Sequence, residues 1–201
     1  MRIGLIGPAD GDEAVLREAA EFLLGDAAVD QAIYLGADEA LETMVNAWAR
    51  ELMEGDATEE AFLDRAARAA LQGSAEAVER LLAADTAVRR LADLRGLPPS
   101  PARAIEMIDD RIVLLVNDKA VLDQEDIANA FLVVYGKAPE AGLRRFGPRY
   151  FFTPGPLRDR KVGVLEQEPE GELAIGVFDP SGAPLSRETL ERRTAKLTVT
   201  P

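Results

Sequence analysis

Hydrophobic and polar residues occur in blocks that predict short buried strands separated by helices. Residues 2–7 form an apolar run that ends in a tight turn at residues 8–11, and a helix follows to about Leu24. A second apolar run at residues 30–36 ends at a glycine turn. A strand, a helix and a strand in this order predict a βαβ unit with parallel strands and a right-handed crossover.

The next block, residues 38–95, is helical in character. It is rich in Ala, Leu, Glu and Arg, lacks proline, and has glycine only at Gly55 and Gly73. The two glycines divide the block, and Thr58 and Ser74 are the predicted N-caps of its second and third helices. The predicted helices lie near residues 38–53, 58–72 and 74–95.

The rest of the chain has the pattern of a strand-rich region. Residues 96–101 contain three prolines and predict a rigid connector, and a short helix is expected from Asp123 to Ala130. Turns rich in Pro and Gly separate the other apolar runs, which favours a β-meander added to the sheet. The tail after Leu185 is rich in charged residues, so we expect it to be a surface helix or a frayed end. The predicted strands cover residues 111–116, 131–136, 149–152, 161–166 and 173–178.

Charge and composition narrow the range of functions. The 201 residues carry a formal charge of −13, which opposes binding to nucleic acid or to an anionic membrane. No signal peptide or membrane-spanning run is recognisable, and the absence of cysteine fits a reducing compartment, so we expect a cytoplasmic protein. There is also no histidine, so any chemistry would have to use carboxylates, hydroxyls, lysine or arginine.

Several landmarks at predicted strand ends resemble the small calcineurin-like metallophosphoesterases of the bacterial single-domain type. Residues 1–11 are similar to the N-terminal strand of that family, which is followed by Ser-Asp-x-His-Gly. Residues 33–37 resemble its strand ending in Gly-Asp, and residues 133–139 fall where it has Gly-His-x-His. Residues 144–147 and 151–157 look like its closing segment, an arginine, a glycine, a strand and Asn-Pro-Gly-Ser.

This resemblance implies an α/β (α+β sandwich) fold in which two packed mixed β-sheets are flanked by helices. We expect a single domain over residues 1–201, with a helical insertion at about 38–95. The family fold also implies a centre of two metal ions at the strand ends, held by Asp, His and Asn, that activates water against a phosphate ester.

The ligand positions implied by the resemblance are degenerate in the first half of this sequence. Pro8 stands where the family has its first aspartate, and Asp10 stands at the histidine two residues later. Ala37 replaces the aspartate that bridges both metals.

The remaining positions depend on how the strand at residues 111–116 is matched. It corresponds either to the strand before the His-Gly motif or, less well, to the one before Gly-Asn-x-Asp/His. In the first match Asn117 replaces a histidine, while Lys137 and Pro139 replace the two histidines of the last motif. Two remaining donors cannot hold two ions, so we predict no metal and no cofactor.

The leading prediction is therefore a catalytically inactive phosphoesterase-like protein that acts as a protein-interaction, scaffold or regulatory module. A retromer subunit of the same family fold acts chiefly as an interaction platform. We expect a protein partner or a second copy to bind through the helical insertion, with Met44, Trp48 and Met53 as candidate anchors. The former metal face is a second candidate surface.

Two other functions remain open from the sequence. Asp10, Asp12 and Glu13 could form a new magnesium site with Asp38 or Asp118, giving a phosphodiesterase or phosphatase with a rebuilt carboxylate site. Alternatively, a basic segment could keep a pocket for phosphate or nucleotide ligands. Its cations are Lys137, Arg144, Arg145, Arg149, Arg158, Arg160 and Lys161.

Overall fold

The computed structural model describes residues 1–191 and shows two β-sheets packed face to face, with helices on the outside. The helices are α1 (Glu13–Leu24), α2 (Ala40–Leu52), α3 (Glu59–Gln72), α4 (Ala75–Arg90) and α5 (Gln124–Asn129). The strands are β1 (Arg2–Ile6), β2 (Gln31–Tyr34), β3 (Leu94–Gly96), β4 (Ala104–Ile108), β5 (Arg111–Val116), β6 (Leu132–Tyr135), β7 (Gly142–Phe146), β8 (Arg149–Thr153), β9 (Val162–Gln167), β10 (Leu173–Phe178) and β11 (Pro184–Leu190).

The first sheet has the strand order β11-β10-β9-β1-β2-β3. β1 and β2 are parallel, with Leu5 beside Ile33, as the βαβ pattern predicts. β3 continues the parallel part, while β9, β10 and β11 form an antiparallel meander on the other side of β1.

The second sheet has the order β4-β5-β6-β8-β7. Its centre is parallel, and its edges are the hairpins β4–β5 and β7–β8. Both sheets are therefore mixed, which confirms the expected α/β sandwich. The strands predicted to form one meander are divided between the two sheets.

Alternation along the central strands fills the core between the sheets. Ile3 and Leu5 of β1 meet Leu115 of β5 and Phe152 of β8 in one buried cluster. The next residue, Ile6, faces the opposite way and packs with the helices. Because successive side chains of a strand point to opposite faces, the same short apolar run covers both layers.

Helix ends follow the capping pattern expected from the sequence. The Asp12 carboxylate accepts a hydrogen bond from the Val15 amide at the start of α1, at 3.2 Å. Thr58 and Ser74 cap α3 and α4 in the same way. Side-chain acceptors at these positions satisfy amides that have no partner inside the helix.

Four strands lie where the sequence predicted none. β3, β4 and β7 are short and partly exposed, and β11 replaces the surface helix or frayed end expected after Leu185. Six of the seven residues of β11 are exposed, so its composition resembles a loop. Edge strands can be polar because backbone hydrogen bonds rather than burial hold them. The part of the predicted tail at residues 192–201 lies outside the described residues.

None of the helices within residues 1–191 is long and apolar enough to span a bilayer.

A pair of leucine substitutions tests the position of the core. Leu115→Ala removes a side chain with no exposure between the sheets, and we expect it to lower the free energy of unfolding by about 2–5 kcal/mol. Leu71→Ala, at a residue that is 87% exposed on α3, should change it by less than about 0.5 kcal/mol. Urea unfolding of both variants measures the difference, and equal losses would contradict this core.

Candidate functional site at the carboxyl ends of the central strands

Loops from both sheets meet at one edge of the sandwich. The carboxyl ends of parallel strands lie at the same edge of a sheet, which places the loops after β1 and β2 together, and likewise those after β5 and β6. Backbone hydrogen bonds connect this edge: the Lys137 amide donates to the Asn117 carbonyl, and the Leu157 amide, which follows β8 of the second sheet, donates to the Pro8 carbonyl after β1. The positions on these loops that the sequence singled out are Pro8, Asp10, Ala37, Asn117, Lys137 and Pro139.

Tyr34 connects the loops after β1 and β2 through two hydrogen bonds of its side-chain hydroxyl. Its side chain is only 1% exposed, and its hydroxyl accepts a hydrogen bond from the Ala9 amide at 3.0 Å. The same hydroxyl donates to Oδ1 of Asp38 at 2.7 Å. Burial chiefly raises the pKa of this hydroxyl, and the Asp38 hydrogen bond adds to the rise although the Ala9 contact opposes it. Tyr34 is therefore a neutral structural link.

The Leu35 carbonyl joins the two sheets. Nδ2 of Asn117 donates to it at 2.7 Å, so the amide is used in a contact between the loop after β5 and the end of β2. A Cβ atom at Gly136 would lie 2.3 Å from the same oxygen, so only glycine allows this approach. Asn117 and Gly136 thus hold the edge of the sandwich closed.

Lys137 is paired across the loops after β5 and β6. Its Nζ lies 2.7 Å from Oδ2 of Asp118. This hydrogen bond chiefly lowers the pKa of the Asp118 carboxyl, the Ala120 amide lowers it further, and the pKa of Lys137 is raised in return. An ammonium group consequently stands at the position where the resemblance would put a metal ligand.

The other positions also lack free donors. Pro8 and Ala37 have no donor side chain, and Pro139 is exposed. Oδ2 of Asp10 lies 3.2 Å from the Arg158 guanidinium, on the same loop edge. With Asp10 paired to an arginine, and a lysine where the resemblance implies a ligand, the residues do not fit a two-metal centre.

The rebuilt carboxylate site is not assembled. Asp12 is the N-cap of α1, Asp38 accepts a hydrogen bond from the Tyr34 hydroxyl, and Asp118 pairs with Lys137. In the part of the chain that the structure describes, no group of three or more His, Cys, Asp or Glu side chains is placed to hold a metal ion.

The basic segment does not converge on a pocket either. Its cations are spread over separate elements, and four of them face carboxylates. The pairs are Lys137–Asp118, Arg145–Glu191, Arg158–Asp10 and Arg160–Glu18. Arg149 lies at the amino end of β8, away from the loops described above, and its guanidinium donates to the Ala128 carbonyl. These cations therefore do not form one cluster around a phosphate-sized pocket, the alternative that the sequence left open.

A cavity of about 590 Å³ lies beside the edge, between α2, the loop after β5 and the proline-rich connector. Its wall includes Asp38, Leu97 and Asn117. Leu97 was missed by the sequence analysis because the preceding strand, β3, was not predicted. β3 runs parallel to β2 and ends at Gly96, so Leu97 occupies a strand-end position equivalent to those above.

The residues proposed as partner anchors are mostly inside the protein. Met44 and Met53 are 2% and 5% exposed, so the prediction that they anchor a partner is wrong. Trp48 is partly buried, and the Arg17 guanidinium covers its ring at 5.0 Å from the centroid. α2 packs on α1, and Met44 and Trp48 belong to the core between them. The exposed large apolar residues of the insertion lie instead on α3 and α4: Leu63, Leu71 and Leu82.

Comparison with solved structures agrees with this architecture, and the chain has the metallophosphoesterase-like fold. It is similar to a predicted phosphoesterase from Streptococcus pneumoniae, with 10% identity, a TM-score of 0.51 and coverage of 94% of this chain and 97% of the other. It is also similar to a novel archaeal phosphodiesterase, with 16% identity, a TM-score of 0.51 and coverage of 89% of this chain and 100% of the other. A third similar structure is that of Vacuolar Protein Sorting 29 from Cryptosporidium parvum, with 12% identity, a TM-score of 0.52 and coverage of 95% of this chain and 98% of the other.

At these identities the likeness establishes the fold alone. No family model matches the sequence. A search of curated proteins likewise finds no match.

The Tyr34 link can be tested by removing its hydroxyl. In Tyr34→Phe the Ala9 amide loses its acceptor and Asp38 loses a donor, and we expect the free energy of unfolding to fall by about 1–3 kcal/mol. Tyr135→Phe is the matched control, because its ring contacts Lys119 through its face. Equal stability of the two variants in urea unfolding would show that the hydroxyl does not hold the loops.

The ion pair between Lys137 and Asp118 has its own test. In Lys137→Met the pKa of the Asp118 carboxyl should rise but stay below its ordinary value, because the Ala120 amide still donates to it. A lowered carboxyl pKa stabilises the fold above the pKa of the unfolded chain, and this contribution is lost as pH falls through the folded pKa. Carboxyl-carbon NMR titration measures the shift, and an unchanged pKa would refute the pairing.

Proposed function

We propose that this chain is a catalytically inactive phosphoesterase-like protein that acts as a protein-interaction module, with a scaffold or regulatory role. The observation that carries the proposal is the Lys137–Asp118 ion pair at 2.7 Å, in the position that resembles a metal-ligand motif. A divalent cation at this place would lie beside an ammonium group and would have to displace it from Asp118.

The neighbouring strand ends support the same conclusion. Pro8 and Ala37 offer no oxygen or nitrogen ligand from their side chains, and the amide of Asn117 is bonded to the Leu35 carbonyl. A strand followed by glycine is the context of the Gly-Asn motif, and we infer that Leu97 stands at its asparagine. Loss of donors on successive loops is difficult to compensate by one substitution.

The insertion supports the interaction role. α3 and α4 form a hairpin in which no residue of described burial is buried, whereas α1 buries five residues. Two helices that leave apolar side chains exposed are suited to binding a protein partner or a second copy. A cytoplasmic location, to which the lack of cysteine is suited, belongs to this proposal.

The absence of hydrolysis is tested with bis-p-nitrophenyl phosphate in the presence of Mg²⁺, Mn²⁺, Zn²⁺ or Ni²⁺. We expect no metal-stimulated turnover and no rise of the melting temperature with metal, because the donors needed to hold the ions are missing. An active phosphodiesterase of this fold, assayed in parallel, shows that the assay works.

A contaminating enzyme must be separated from activity of this chain. Asp10→Asn and Asp118→Asn remove the carboxylates at the loop edge that could bind a cation. Saturable turnover that disappears in either variant would overturn the proposal in favour of a rebuilt metal site. Turnover that persists in both variants and stays with the chain through further purification would also overturn the proposal, whereas turnover that separates from the chain comes from a contaminant.

A further inference from the structure

A groove lies where the hairpin of α3 and α4 meets the end of α2. It has a volume of about 610 Å³, and its apolar wall is formed by Leu52 and Leu81 together with alanines of α3 and α4, while Met53, which also borders it, is only 5% exposed. Helix packing joins α3 to α4 and α4 to α2, which leaves the groove open between them. The groove is thus a preformed concave surface outside the loop edge described above.

The rim of the groove is basic, although the chain as a whole is acidic. Arg65, Arg68 and Arg80 line it, against a single carboxylate, that of Glu54. This contrasts with the net charge of −13 of the full sequence. A local excess of arginine in an acidic protein favours a negatively charged ligand at this place.

These three arginines are not neutralised within residues 1–191. Arg65 donates to the Asp56 carbonyl at 2.7 Å and Arg68 to the Asp64 carbonyl at 3.2 Å, so both are held by backbone oxygens. Nε of Arg65 is buried and has no hydrogen-bond partner among the described residues. Arg17, in contrast, is bonded to the carboxylates of Glu21 and Glu51. The groove therefore has unused donors of the kind that bind carboxylates bidentately.

We propose that this groove binds an acidic amphipathic segment of a protein partner. Apolar side chains of the segment would cover the wall of leucine and alanine, and Asp or Glu side chains beside them would pair with the arginines. This is the helix-in-groove mode of recognition, in which apolar contacts provide affinity and flanking charges select the partner. The inference rests on the proposed interaction function and names the kind of partner.

The partner chemistry is tested by display selection on the full chain. The probe is a library of random peptides of about 16 residues, which is long enough for an amphipathic helix to follow the groove. We expect the recovered peptides to be enriched in Asp and Glu, spaced among Leu, Ile and Phe at helical periodicity. Recovery of basic or uncharged peptides, or of none, overturns the proposal.

Matched charge reversals locate the binding. The double variant Arg68→Glu/Arg80→Glu changes two exposed residues of the rim, and we expect it to weaken a selected synthetic peptide by about tenfold or more in fluorescence anisotropy. Arg89→Glu reverses one charge on α4 outside the groove, so it is compared with the single reversals Arg68→Glu and Arg80→Glu, and it should leave the affinity within about twofold. Equal effects of the rim and control reversals, or none, would place the peptide elsewhere.

Two further outcomes keep the inference separate from the proposed function. Circular dichroism melting shows whether the double variant is folded, and Arg68→Gln/Arg80→Gln replaces it if it is not. Inorganic phosphate or ATP that competes with the peptide at micromolar concentration would indicate a small-anion site and overturn the peptide proposal. Peptide binding together with metal-dependent hydrolysis would overturn only the inactive-enzyme proposal. Absence of both peptide binding and hydrolysis would overturn only the groove proposal.

Discussion

The close approach of the two sheets at the Leu35 carbonyl is the constraint on which the loop edge depends. One oxygen accepts the Asn117 amide and leaves no space for a side chain at Gly136. Backbone groups so close to each other must be paired or covered, because an unsatisfied buried carbonyl is costly. The residues at these two positions are consequently explained by the packing of the sandwich, without any reference to catalysis.

The same edge is held together by polar side chains that pair with each other. Tyr34 links the loops after the first two strands, and Lys137 with Asp118 links the loops after β5 and β6. The cross-links at this edge are thus a buried hydroxyl and an ion pair, both supplied by side chains of the chain itself.

The sequence predicted the parts of the fold that burial alone determines. The apolar runs of β1, β2, β5 and β6 are buried on both faces, which made them recognisable. β11 was missed because its hydrogen bonds to β10 hold it although its side chains are exposed. The substitutions at Pro8 and Ala37 could be identified from the motifs, but the reach of the Tyr34 ring could not, since it depends on the tertiary structure.

The insertion shows why exposure cannot be inferred from residue type. Met44 of α2 and Met53 at its end were expected at a surface, yet both are buried, whereas three leucines of the next two helices are exposed: Leu63, Leu71 and Leu82. At the loop edge polar groups mostly satisfy one another, so a partner would gain few new hydrogen bonds there. At the groove, arginines lacking carboxylate partners lie beside an apolar wall. A partner gains more by pairing unused donors and covering apolar surface together, so the helical hairpin is favoured over the loop edge as the binding surface.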